Sequence, residues 1–197
     1  MKKGLLITLG IIAVVGFIIY QIFAGSYNTM VNKEENVSNA WANVEAQYQR
    51  RADLIPNLVN TVKGFAAQEK EVLTGVVEAR SKASSIQIDP SNLDASKIQQ
   101  FQQAQGQLSG ALSRLLVTVE RYPDLKSNQN FLDLQAQLEG TENRITVART
   151  RYNEATTDYN KVIRTFPKNM LAGMYGFERK PLFEADQGAE NAPAVSF

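Results

Sequence analysis

A chain of 197 residues, 44% of them hydrophobic, is long enough for one ordinary domain with a sizeable core. Lysine plus arginine total 21 against 20 aspartate plus glutamate, so no overall basic field marks a nucleic-acid binder. Histidine and cysteine are both absent, which excludes imidazole and thiolate ligands, Ser-His or Cys-His machinery, haem and cluster ligation, and disulfides.

Residues 4–23, GLLITLGIIAVVGFIIYQIF, form an uncharged stretch whose length as a helix matches a hydrocarbon layer of roughly 30 Å. The exit Ile22, Phe23, Ala24 lacks the small-x-small pattern of a cleavage site, so residues 1–26 are expected to be an uncleaved, single-pass anchor in the bilayer. Lys2 and Lys3 precede the span, and the first charges beyond it are Lys33, Glu34 and Glu35. By the positive-inside rule the N-terminus is cytoplasmic and the bulk of the chain lies outside the cytoplasm.

Beyond Ser26 the apolar residues recur at three and four, which predicts an all-α bundle over 27–167. A first helix, about 27–51, carries Tyr27, Met30, Val37, Trp41, Val44 and Tyr48, and its lower end can run directly into the span. A second is expected to start after Asp53 as N-cap, with Pro56 in its first turn, and to reach about Ser85; Asp89-Pro90-Ser91 then breaks the pattern. A third, about 92–121, places Ile98, Phe101, Leu108, Leu112, Leu115 and Val119 on one seam, its six glutamines between Gln99 and Gln107 reading as a solvated face, and Pro123 stops it. The fourth, 128–166, repeats from Phe131 through Tyr152 and Tyr159 to Phe166. That aromatic row suits core packing better than a cofactor box, and no cofactor is expected.

Short connections near 52, 86–91 and 122–127 predict an antiparallel up-down four-helix bundle of long helices. The turns RRADLIP and RYPDLKSN then share a distal tip about 40 Å from the membrane, and the 86–91 loop lies near the bilayer. Residues 168–197 remain as an amphipathic and extended tail.

Three strings, AWANVEAQYQRRADLIPNLVNTVKGFA (40–66), RLLVTVERYPDLKSNQNFLDLQAQLEGTENRITVARTRYNEATTDYNKVIRTFP (114–167) and GFERKPLFEA (176–185), resemble the LemA family. The resemblance covers most of the chain from Tyr27 onward and is weakest from about 84 to 107. It implies a bacterial single-span membrane protein with a helical soluble domain, supplies no catalytic residues, and also admits an N-terminus outside the cell.

Three groups of residues stand out. At the expected tip, Arg50, Arg51, Asp53, Arg121, Tyr122, Asp124 and Lys126 suit contact with a partner protein, or else caps and salt bridges that close the bundle. Inside, Glu69 interrupts an apolar stripe and needs a partner; counting depth from the expected turns brings Glu142, Arg144 and Arg149 near, so an ion pair of Glu69 with Arg144 or Arg149 is predicted. No metal is expected, because the Glu-x-x-His motif of di-iron bundles is impossible here. In the tail, Met174, Tyr175, Phe177, Arg179, Lys180 and Phe183 could rest on lipid headgroups or pack over the open end of the bundle. Gly64, Gly75, Gly106, Gly110 and Gly140 are read as places of close backbone approach. No phosphate loop, nucleophile elbow or acid paired with a base is present, so the expectation is a non-enzymatic scaffold or adaptor that binds another envelope protein. The alternative is an extracytoplasmic ligand-sensing bundle that works with a separate signalling subunit.

Overall fold

A computed structural model describes residues 2–90 and 93–184. Ser91, the tail beyond Glu184 and the side chains of Lys2 and Lys3 lie outside the described residues. The chain forms an all-α bundle of α1 (Lys2–Phe65), α2 (Lys70–Ser85), α3 (Ala95–Val119), α4 (Pro123–Lys126), α5 (Gln129–Arg164) and α6 (Lys168–Tyr175).

The apolar span and the first bundle helix are one uninterrupted element of 64 residues. From Leu6 to Phe23 the large apolar side chains of α1 are 41 to 68% exposed, and this segment is long and apolar enough to cross a membrane. Further along, a buried stripe begins at Met30 and continues through Val37, Trp41, Val44, Tyr48, Ala52, Ile55, Leu58 and Val62.

The turn expected at residue 52 is absent. Asp53 is not an N-cap; its carboxylate accepts from Gln49 Nε2 at 2.8 Å within the same helix. Pro56 lies in the interior of α1 and cannot donate to the carbonyl of Ala52, a loss that usually breaks or kinks a helix. Here Arg80 of α2 supplies the missing donor, its Nε bonding the Ala52 oxygen at 2.7 Å. The proline is tolerated because a neighbouring helix satisfies the carbonyl it strands. The chain turns instead at Ala66–Glu69, after which α2 descends, α3 ascends and α5 descends again.

Local signals fix the later boundaries. The Asp94 carboxylate accepts from Lys97 N at 3.1 Å to start α3, and Asn128 Oδ1 accepts from Phe131 N at 3.2 Å to start α5. Pro123 opens α4, where no donor is needed, and Gly176, at φ +76°, ends α6 in a left-handed turn. The turns at 66–69 and 120–128 therefore form the tip. Phe65 is 42 residues beyond Phe23, which puts the tip about 60 Å past the end of the span rather than 40 Å.

Residues 86–90 of the loop after α2 do not reach the bilayer. Ser38 Oγ donates to the Pro90 carbonyl at 3.4 Å, about 20 Å above the span by the rise along α1. Because α2 and α3 stop there, four helices enclose only the distal half. The distal core is aliphatic, built on Ile55, Leu58, Val62, Val76, Leu108, Leu115, Leu125 and Leu138. The proximal core is aromatic, with Trp41, Tyr48, Phe101, Tyr152, Tyr159 and Phe183. A Cβ added at Gly64, Gly75, Gly106 or Gly110 would meet nothing within 4 Å, and at Gly140 only the Arg144 side chain at 3.7 Å. These glycines do not mark close helix approach.

Candidate functional site

At the tip, the turn before α2 meets the turn after α3. Glu69 Oε1 accepts from the Tyr122 hydroxyl at 2.7 Å and from Arg121 Nη2 at 3.0 Å, while Gln68 Nε2 donates to the Tyr122 oxygen at 3.0 Å. The bond to Glu69, helped by the charge of that carboxylate, pushes the Tyr122 phenol above its ordinary pKa. Lys126 is paired with Glu120, and Asp124 occupies the first turn of α4. The result is a cross-braced end from which the Arg121 side chain remains 65% exposed. Phe65, Val117 and Leu132 add exposed apolar surface on the distal ends of α1, α3 and α5.

Of the residues expected at the tip, Arg121, Tyr122, Asp124 and Lys126 are there. Arg50, Arg51 and Asp53 are not; they lie in mid-helix, about 20 Å below the end of α1. The predicted pairing of Glu69 with Arg144 or Arg149 does not form, because moving the first turn from 52 to 66 moves Glu69 from the interior to the end. Arg144 donates to Thr141 Oγ1 at 3.0 Å within α5, and Arg149 donates to the Glu184 carbonyl at 3.0 Å.

The internal polar contact belongs to Arg51. Its guanidinium, 2% exposed, donates to Glu142 Oε1 at 2.7 Å, to Ser109 Oγ at 3.0 Å and to both oxygens of Gln105, and lies 5.1 Å from the centre of the Tyr48 ring. One side chain of α1 thus ties α3 to α5 at the boundary between the two apolar cores. Glu142, expected in the interior, is 47% exposed at the edge of this contact, and its partner is Arg51, which the sequence reads as part of a turn. Among the described residues no three potential ligands gather where a metal could be held.

The proximal half is closed by the chain after α6. Residues 177–184 run extended beside α5, and side chains of α5 meet their backbone at several points. Asn153 donates to the Phe183 carbonyl at 3.1 Å and accepts from its N–H at 2.9 Å; Asn160 does the same for Lys180, at 2.8 and 3.0 Å. Tyr152 and Tyr159 donate their hydroxyls to the carbonyls of Pro181 and Glu178 at 2.8 and 2.9 Å. The spacing is commensurate: seven residues of helix and three of extended chain both span about 10 Å. Burial raises both phenols, Tyr152 to about 12 and Tyr159 further.

Of the tail residues, Phe183 stacks on Trp41 at 5.6 Å and 16°, Lys180 pairs with Glu34 at 2.9 Å, and the Phe177 ring lies 5.8 Å from that of Tyr27. These three are built into the bundle. Met174, Tyr175 and Arg179 remain exposed. Phe166, expected to end the α5 seam, is 76% exposed instead. The repeated Tyr-Asn pair at 152–153 and 159–160 was the overlooked signal for this strap.

The LemA family description matches residues 40–197. The chain belongs to the LemA family. Among similar proteins, magnetosome protein MamQ 2 of Paramagnetospirillum magneticum is 27% identical over 97% of this chain and 75% of its own length. Protein LemA of Metamycoplasma hominis is 25% identical over 86% of this chain and 74% of its own. This LemA-family chain is a membrane-associated helical protein, and neither the family description nor the relatives' names specify a reaction.

Proposed function

We propose that the chain is a non-enzymatic, membrane-tethered adaptor whose distal tip binds another protein of the bacterial envelope. The observation that carries this reading is the continuity of α1 from the apolar span to a tip some 60 Å away. A cross-braced surface held at the end of one helix is suited to presenting contacts at a fixed height. There, Arg121 offers a guanidinium with exposed donors, and Phe65, Val117 and Leu132 offer apolar contact. The domain faces away from the cytoplasm in this reading, supported by Lys2 and Lys3 before the span.

Photo-crosslinking in cells from position 124, with position 77 on the side of α2 as control, tests it. The expected result is one dominant envelope protein captured from 124, not from 77, and lost on Arg121→Ala. Equal capture from both positions, or capture indifferent to Arg121, would defeat the reading.

The sensing alternative draws on a groove lined by Glu45, Tyr48, Phe101, Gln105 and Ile86, where α1 and α3 face the start of the loop. A small molecule that raises the melting temperature of the full chain, and ceases to do so in Glu45→Gln, would favour it.

A further inference from the structure

The base of the bundle carries a face that the fold leaves uncovered. α6 buries Leu171 and Ala172 against the bundle, while Phe166, Met170 and Met174, spaced four residues apart, are 76, 64 and 74% exposed. Within α6, four-residue spacing puts Met170 and Met174 on one side of the helix, and Phe166 lies in the turn that leads into it. Among the described residues of the bundle, no other place gathers three large apolar residues at such exposure.

The height of this face follows from two contacts. The Tyr175 ring lies 5.0 Å from that of Tyr27, which is four residues, or about 6 Å, beyond Phe23 at the end of the apolar span. Independently, Lys33 pairs with Asp158 at 3.0 Å, so antiparallel α5 brings Arg164 down to the level of Tyr27. The headgroup layer on each side of the hydrocarbon is about 5–8 Å thick. α6 is therefore held within that layer whenever the span is in a bilayer.

The charges nearby have the matching sign. A shallow groove beside Phe166 is lined by Lys33, Lys161, Lys168 and Asp158; the carboxylate is engaged by Lys33, leaving Lys161 and Lys168 beside the apolar face. Amphipathic helices with a basic flank and an apolar face settle at the boundary of headgroup and acyl chain.

We infer that Phe166, Met170 and Met174 form a second membrane contact, an interfacial foot of α6 that dips into the headgroup layer beside the span, with Lys161 and Lys168 meeting lipid phosphates. The contact holds on whichever side of the membrane the domain lies and does not depend on the adaptor reading. It fixes the bundle's base to the bilayer at two points rather than one.

The absence of cysteine makes the test direct. Full-length Met170→Cys and Met174→Cys variants, each carrying a nitroxide, are reconstituted into vesicles of phosphatidylcholine with a minority of phosphatidylglycerol. Ser113→Cys, on the exposed side of α3, is the control, and unchanged Trp41 emission verifies the fold. The foot is expected to show several-fold lower accessibility to a water-soluble nickel relaxation agent than position 113, with higher accessibility to oxygen. Nickel accessibility at 170 and 174 equal to that at 113 would overturn the inference.

Discussion

The distal and proximal halves of the soluble bundle solve the same burial problem with different materials. Distally, four helices surround an aliphatic core and satisfy most of their own backbone, with the Ala52 carbonyl, met by Arg80, as an exception. Proximally, α2 has ended and α3 contributes only its first turns, through Ile98 and Phe101, so α1 and α5 alone cannot enclose Trp41, Tyr152 and Tyr159. The strap provides the missing layer. An extended segment has no internal hydrogen bonds, so its carbonyls and N–H groups must be met by side chains placed in the core. Hence asparagine and tyrosine appear at heptad spacing on α5 where the distal half uses leucine and isoleucine. The comparison teaches that the polar content of a core can record the secondary structure of what covers it.

Removing the joint between the halves should have the largest effect. Arg51→Ala leaves a cavity and removes the donor to Gln105, while Glu142 can turn to water; a loss of about 2–4 kcal/mol is expected by denaturant unfolding. If the two cores then unfold in separate transitions, with Trp41 fluorescence following only the proximal one, the division is mechanical as well as compositional. The next effect should be confined to the proximal half. Asn160→Ala unpairs both the N–H and the carbonyl of Lys180 and is expected to cost about 1–3 kcal/mol, with faster amide exchange along 177–184 and none of that gain in α2.

Conversely, Arg80→Met should be felt distally, at about 1–2 kcal/mol, because the Ala52 carbonyl loses its donor. In a Pro56→Ala background that carbonyl regains a helical N–H, so the same substitution should cost much less. An unchanged cost would show that Arg80 acts otherwise. The mildest perturbation is alkaline pH. Tyr152 releases its proton at about 12 when folded against 10.0 in the unfolded chain, so the unfolded state binds fewer protons across that window and stability falls as pH rises through it. Below pH 10 the contribution is fully present. Trp41 emission should report this loss, Tyr152→Phe should remove part of it, and a titration indifferent to that substitution would show that Tyr159 alone governs it.

How much of this was legible depended on whether the signal was local. The apolar span, the helical periodicity and the stop at Pro123 are written in neighbouring residues, and they predict the all-α bundle. The boundary between the first two helices is not. Asp53 and Pro56 imitate a helix start, and only Arg80, far along the chain, allows α1 to continue. Glu69 was the available correction: a carboxylate in an apolar stripe marks a turn as readily as a buried pair. Misplacing that turn displaced Arg50, Arg51 and Asp53 from mid-helix to the tip and assigned Glu69 the wrong partners. The strap escaped for another reason. Residues 177–184 have no periodicity of their own, and their place is set by side chains on α5.

Because α1 contains no hinge between bilayer and tip, its angular setting in the lipid is inherited by everything it carries. Transmembrane helices commonly adopt tilts that vary with hydrocarbon thickness. With a lever arm of about 60 Å, a change of roughly ten degrees would swing Arg121 and Tyr122 sideways by about 10 Å. Bilayer composition could thereby alter which neighbours the tip can reach without any rearrangement inside the domain.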